Sequence, residues 1–122
     1  MDSILTSIKK LLNISEEHNH FDADLIMHIN TVFMILNQLG VGPTECFSIE
    51  DGEATWDDFV TGNSYNAVKT YIGLKVRLLF DPPTGSAHIE AINRQISELE
   101  WRLNSEAELG LSTEKEDSQN GE

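Results

Sequence analysis

Hydrophobic residues recur at helical spacing along most of the chain, and they predict four main helices. The first is a short amphipathic helix, with Asp2 or Ser3 as its N-cap. The second follows Asp22, which we predict as its N-cap, and ends at Gly40. We expect most of the wide apolar face of this second helix to be buried; it consists of Leu25, Ile26, Ile29, Val32, Phe33, Ile35, Leu36 and Leu39.

The third main helix is predicted from about Tyr65 to Phe80. It is apolar around most of its circumference, so we expect it at the centre of the fold, ending before Pro82 and Pro83. The fourth helix is predicted from near Ser86 to about Glu108. Its narrow apolar seam repeats at spacings of three and four residues and comprises Ile89, Ile92, Ile96, Leu99 and Leu103.

The helical periodicity is lost between the second and third main helices. Phe47 and Ile49 alternate with polar residues, and Asp51 and Gly52 are typical of a turn, so we expect a small hairpin or an irregular loop. A segment resembling a capping box then predicts one or two helical turns. These turns carry Trp56, Phe59 and Val60.

The polar C-terminal segment has almost no apolar residues to bury, so we predict a disordered acidic tail over residues 109–122. The remaining residues, 1–108, are predicted to form the folded domain. The fold class that follows is all-α: a small bundle of about four main helices with an irregular insert and a long C-terminal helix.

Length and charge limit the possible functions. The chain has 122 residues and a mass of 13.7 kDa, the size of one domain. Its 21 acidic and 8 basic residues give a net charge of −13, which argues against a protein that grips nucleic-acid phosphates or a polybasic membrane anchor. No targeting segment or membrane partner is expected. The single Cys46 does not call for an oxidising compartment.

The sequence contains two polar clusters that are candidate sites. A metal could bind the first, but its spacing fits no established ligand motif, so we expect a solvated loop; it contains Glu16, Glu17, His18, His20, Asp22 and Asp24. The second lies in the insert, where acids are typical of turns and helix starts; it contains Glu50, Asp51, Glu53, Asp57 and Asp58. We predict neither a catalytic centre nor a cofactor.

Charge is distributed unevenly along the chain. No Lys or Arg occurs between Asn13 and Val68, and most of the basic residues fall in the last two helices: Lys69, Lys75, Arg77, Arg94 and Arg102. One interpretation is an acidic, solvated face. The other is a head-to-tail contact, in which the acidic side of one copy meets the basic side of the next.

Trp101 falls opposite the apolar seam of the last helix, where a tryptophan is typical of an interface. Coverage by another part of the same chain is the alternative, and Trp56 is equally compatible with the core. The residues predicted at a subunit or partner interface are Trp101, Arg102, Arg94, Arg77, Glu50, Asp51, Asp57 and Asp58.

Four segments together resemble the head–tail connector family of long-tailed bacteriophages and their prophages. They are FDADLIMHINTVFMILNQLGVGP, FSIEDGEATWDDFV, VKTYIGLKVRLLFDPP and ISELEWRLN. The resemblance extends from about Ile4 to Asn104 and rests on the order and spacing of these segments, since none of them is a chemical signature by itself.

The resemblance implies a structural virion protein, present in the host cytoplasm during assembly and then at the head–tail interface. Its partners would be about a dozen copies of itself in a ring, the portal protein, and the stopper or tail-completion protein. DNA would pass through the ring without specific binding, because an acidic channel repels phosphate. We expect the insert from Glu50 to Asp58 to face this channel or the next subunit.

Two other classes of function are alternatives to a connector. An acidic DNA mimic or protein-binding inhibitor would place carboxylates along an exposed surface, whereas here they collect in loops, helix starts and the tail. A metal-dependent hydrolase would need His18 and His20 to meet distant carboxylates.

Overall fold

The computed structural model describes residues 3–43, 45–59 and 65–120, with side chains described as far as Glu108. Five helices occur in this described part. They are α1 (Ile4–Leu11), α2 (Asp22–Gln38), α3 (Trp56–Phe59), α4 (Tyr65–Phe80) and α5 (Ser86–Asn120). The predicted all-α bundle is therefore confirmed, with α3 as the short helix of the insert.

Helix α1 begins as its sequence predicts and is tied to the insert. Ser3 Oγ accepts a hydrogen bond from the Thr6 amide at 3.3 Å, which satisfies one of the free N–H groups of the first turn. The Ile4 amide donates to the Ala54 carbonyl at 3.0 Å, and Ser3 and Thr55 form an isolated antiparallel bridge. The start of the chain therefore holds the end of the insert.

The prediction that Asp22 caps α2 is wrong. Phe21 occupies the cap position without a side-chain hydrogen bond, and Asp22 is the first residue of the helix. Its Oδ1 atom lies 2.9 Å from the ammonium of Lys9, whose side chain is only 3% exposed. A buried ammonium needs a nearby anion, and Lys9 attracts the carboxylate that would otherwise cap the helix.

The insert packs as an irregular loop against α2. The side-chain amide of Asn30 donates to the Ile49 carbonyl at 2.9 Å and accepts from the Ile49 amide at 2.8 Å, as a neighbouring strand would. The rings of Phe33, Phe47 and Phe59 lie 4.6–5.2 Å apart, centroid to centroid. This aromatic cluster fixes the insert to the bundle without a sheet; Val60 lies outside the described residues.

Helix α4 is central, as predicted, and packs against α1, α2 and α5. Its buried positions are Val68, Tyr71, Ile72, Gly73 and Val76. Gly73 allows α1 to approach closely, since a Cβ atom there would stand 2.7 Å from Leu11 Cδ1.

Helix α5 buries Ile92, Ile96 and Leu103 against the bundle. It also contacts the end of α2, where Asn104 Nδ2 donates to the Leu39 carbonyl at 3.1 Å. Gly40 next to it has φ +83°, which fits the predicted helix stop.

The backbone of α5 continues to Asn120, so the predicted helix end near Glu108 is wrong. Residues 106–116 contain no proline and are rich in Glu and Leu, which have high helix propensity. The division of the chain into a domain at 1–108 and a separate acidic tail at 109–122 stays a prediction.

Candidate interaction surfaces

The two tryptophans have opposite environments. Trp101 is 70% exposed on the outer face of α5, as its position opposite the apolar seam predicts. Trp56 is fully buried, and its indole N–H donates to Ser7 Oγ at 2.9 Å. An exposed tryptophan leaves a large apolar area in water, so Trp101 is available as an anchor for another chain, whereas Trp56 belongs to the core.

The three predicted interface arginines lie on the last two helices. Arg102 pairs with Glu98 one turn away at 2.7 Å, and both side chains are about 60% exposed. Such an exposed pair contributes only a few tenths of a kcal/mol, so it leaves Arg102 available to a partner. Within the described part of the chain, neither Arg77 nor Arg94 forms an ion pair, and Glu90, one turn from Arg94, is not paired with it there.

The acidic residues of the insert are exposed, and two of them also stabilise the local backbone. Asp51 Oδ1 accepts the Glu53 amide at 2.9 Å across the turn. Asp58 Oδ2 accepts the Thr55 amide at 2.9 Å, the reciprocal half of the predicted capping box at the start of α3. Glu50 and Asp57 are exposed, and no hydrogen bond of their side chains is seen among the described residues.

In the described residues, the carboxylates of the insert and the arginines of the last two helices are not paired with one another. The insert is held by α1 and α2, whereas the arginines lie on α4 and α5. Among the described residues, no ion pair joins an insert carboxylate to Arg77, Arg94 or Arg102. The acidic insert and the arginines, which are far apart in the sequence, therefore also lie on different elements of the fold.

The histidine-rich connector forms aromatic contacts. The His20 ring packs edge-on against Phe21 at 4.8 Å, and Phe21 packs in turn against Phe80 at 5.2 Å. Across the described residues, no three His, Cys, Asp or Glu side chains are grouped in a way that could hold a metal ion. No described helix is both long and apolar enough to cross a membrane.

A partly buried polar contact joins α4 to α5, and the sequence pattern does not predict it. The hydroxyl of the fully buried Tyr71 donates to Glu100 Oε2 at 2.6 Å, and the Lys75 ammonium lies 3.8 Å from the same oxygen. Burial, followed by the hydrogen bond to Glu100 and its negative charge, raises the pKa of Tyr71 far above its ordinary value. The feature of the sequence that could have indicated this contact is a tyrosine on an otherwise apolar helix face, because a buried tyrosine hydroxyl needs a hydrogen-bond partner.

This contact predicts a loss of stability in alkaline solution. Because the pKa of Tyr71 is raised in the folded protein, its contribution is complete below about pH 10, the ordinary pKa of tyrosine, and falls as the pH rises above it. We expect the free energy of unfolding to decrease there by up to about 1.4 kcal/mol per pH unit. Urea unfolding of wild type and Tyr71→Phe at pH 8–11 measures this; equal slopes in the two proteins would contradict it.

The outer face of α4 forms the floor of a shallow groove between α1 and α5. One depression of about 250 Å³ is lined by Thr70, Leu74, Gln95, Glu98, Leu99 and Arg102. A second of about 210 Å³ is lined by Leu11, Thr70, Gly73, Leu74 and Arg77. The two share Thr70 and Leu74, so they are continuous, and we call them together the α4 groove.

Helix α2 also presents apolar side chains to solvent. Met27 and Met34 are 58% and 56% exposed, on the side of the helix away from its buried residues. They are absent from the predicted buried face, which agrees with their exposure. Like the α4 groove and Trp101, they are apolar and exposed in the described part of the chain.

A family model described as phage connector protein matches residues 4–110. The matched segment includes α1 to α4, the insert, and α5 as far as its packed part. No curated protein and no solved structure matches the chain. The match extends over most of the sequence, in agreement with the all-α fold and the exposed surfaces. The chain therefore belongs to the phage connector protein family, whose members are structural virion components that contact other parts of the virion.

Proposed function

We propose that this protein is a head-completion adaptor. About a dozen copies form a ring between the portal and the stopper or tail, and the ring extends the channel through which DNA passes. The protein acts at the head–tail interface of the virion and is present in the host cytoplasm while the virion assembles. No cofactor takes part.

The observation that carries this proposal is the separation of unneutralised charge. Exposed carboxylates lie on the insert, and Arg77 and Arg94 lie on α4 and α5 without an ion pair in the described residues. A chain with complementary charges on different elements favours contact with a further copy, and head-to-tail contacts of this kind close into rings.

The acidic excess suits a channel for DNA. A net charge of −13 repels the phosphate backbone, so a duplex would move along the surface rather than bind to it. We place Glu50, Asp51, Asp57 and Asp58 on the channel wall or against the neighbouring subunit. Trp101 is the anchor on the outer face of α5, where it meets the portal or an adjacent copy.

The test of this function is binding to the portal protein encoded with this chain. We expect Trp101→Ala to weaken assembly on the portal at least tenfold, because an aromatic anchor at the centre of an interface is typically worth about 2 kcal/mol. Its circular dichroism should match wild type, since Trp101 is 70% exposed. Native light scattering of portal mixtures measures assembly.

Trp101→Phe is the matched control, because it keeps an aromatic ring and should retain most of the binding. If Trp101→Ala assembles on the portal as wild type does, Trp101 is not the anchor. If the wild-type protein does not bind the portal at all, the adaptor function itself is wrong.

A further inference from the structure

We propose that the α4 groove of one copy binds the outer face of α2 from the next copy, with Met27 and Met34 as the inserted side chains. This inference rests on the proposed function, since it names the surfaces through which the ring subunits meet. Its partner is a second copy of this chain rather than the portal or the tail.

The groove has the shape and composition of a site for a helix. Its floor is the exposed side of α4 at Thr70 and Leu74, and its walls are Leu11 of α1 and Leu99 of α5. Gly73 adds no side chain to the floor and lets Leu11 pack close to α4, where it forms the wall on the side of α1. Apolar grooves of this kind bind the apolar face of an amphipathic helix.

The α2 face matches this groove in length. Met27 and Met34 are seven residues apart, which is about 10.5 Å along a helix at 1.5 Å per residue. Thr70 and Arg77, which mark the extent of the groove along α4, have the same separation in sequence. Unbranched methionine side chains adapt to irregular depressions, and each of the two would enter one of them.

No unsatisfied polar group interrupts the α2 face between the methionines. Thr31 lies between them, and its hydroxyl donates to the Met27 carbonyl at 3.0 Å within the same helix. Burying this face therefore leaves no free hydroxyl donor without a partner, which would otherwise oppose binding.

Charge identifies the occupant as a second copy. Arg77 and Arg102 line the two depressions of the groove; Glu98, which pairs with Arg102, lines one of them, so Arg77 is the cation of the groove without an ion pair among the described residues. The α2 face begins at the exposed Asp24, and Asn30, one turn from each methionine, holds Ile49 and so places Glu50 beside the face. No Lys or Arg occurs in this part of the chain, from Asn13 to Val68, so the two surfaces are complementary in sign.

The α2 face of one copy cannot bind in the groove of the same copy. The buried side of α2 packs against α4, whereas Met27 and Met34 are on its opposite, outer side. The groove is likewise on the outer side of α4. Each copy therefore offers both surfaces to different neighbours, and this arrangement gives a head-to-tail contact that closes into a ring.

The experiment uses two double variants of the full chain at exposed or half-buried positions. Met27→Glu with Met34→Glu disables the α2 face, and Thr70→Glu with Arg77→Glu disables the groove. Met27→Leu with Met34→Leu is the matched control and should assemble as wild type. Sedimentation velocity up to millimolar concentration gives the mass, and circular dichroism confirms that each variant is folded.

We expect each disabled variant alone to associate at least tenfold more weakly than wild type. An equimolar mixture of the two should form a 1:1 dimer and stop there, since one intact face and one intact groove remain in the mixture. A monomeric mixture would overturn the proposal, as would either variant assembling like wild type or a wild-type chain that stays monomeric at every concentration.

These outcomes separate the contact from the function. Self-association through these surfaces without portal binding would contradict the adaptor function and leave the contact standing. If the wild-type chain binds the portal and both disabled variants self-associate as well as the wild type, the contact alone is contradicted.

Discussion

Replacing Trp56 by alanine should destabilise the protein more than any other single change considered, by about 3–5 kcal/mol. Trp56 is fully buried, and the alanine variant would leave a large cavity between α1, the insert and α4. It would also leave Ser7 Oγ, which accepts the indole N–H, buried without its partner. Because small domains are stable by only about 5–15 kcal/mol, much of the population would unfold at moderate urea concentration.

Two control variants make the result specific. Trp56→Phe keeps most of the volume but removes the hydrogen bond to Ser7, so we expect a smaller loss of about 1–2 kcal/mol. Trp101→Ala removes the same side chain from an exposed position and should change the stability by about 0.5 kcal/mol or less. If the urea midpoints of the three variants are close together, Trp56 is not part of the core.

Asp22→Asn should have the second largest effect, a loss of about 2–3 kcal/mol. The change removes the anion 2.9 Å from the Lys9 ammonium, which then stays buried with the Glu16 carbonyl as its hydrogen-bond acceptor. Removing one partner of a fully buried pair costs about 3–5 kcal/mol, and the lower figure here follows because Asp22 is 30% exposed. The contact of Asp22 Oδ1 with the Lys9 ammonium is an ion pair, so the expected effect is chiefly one of charge.

Asp24→Asn is the matched control, because Asp24 is in the same first turn of α2 and is exposed. It measures the interaction of an acid with the helix dipole, about 0.3–1 kcal/mol. Combining Asp22→Asn with Lys9→Met removes both charges and should restore most of the lost stability. If the double variant is as unstable as Asp22→Asn, the buried ammonium is not the cause.

The positions of the helices and some of their ends could be predicted because local signals determine them, whereas the cap of α2 and the end of α5 were predicted wrongly. The repeat of apolar residues located α2, α4 and α5, and the same repeat placed Trp101 on the outer face of α5. Pro82 and Pro83 prevent α4 from continuing, and Gly40 accepts the left-handed conformation at the end of α2. Each of these depends on residues a few positions apart.

The contacts between distant residues could not be predicted in the same way. Nothing local distinguishes Lys9, which is buried beside Asp22, from Lys10, which is exposed. The hydrogen bond of Tyr71 to Glu100 joins two helices, so it depends on how they pack. The candidate surfaces were predicted in part: Trp101 and the arginines follow from the sequence, whereas the α4 groove exists only once α1, α4 and α5 are assembled.

The attachment of the insert by Asn30 and Ile4 has a further consequence for binding. The two hydrogen bonds at Ile49 and the one at Ala54 fix both ends of a four-residue turn that carries Glu50, Asp51 and Glu53. A turn fixed at both ends has little conformational entropy left to lose. Its carboxylates are therefore preorganised, and a partner that meets them gains their electrostatic attraction without the ordering cost of a free loop.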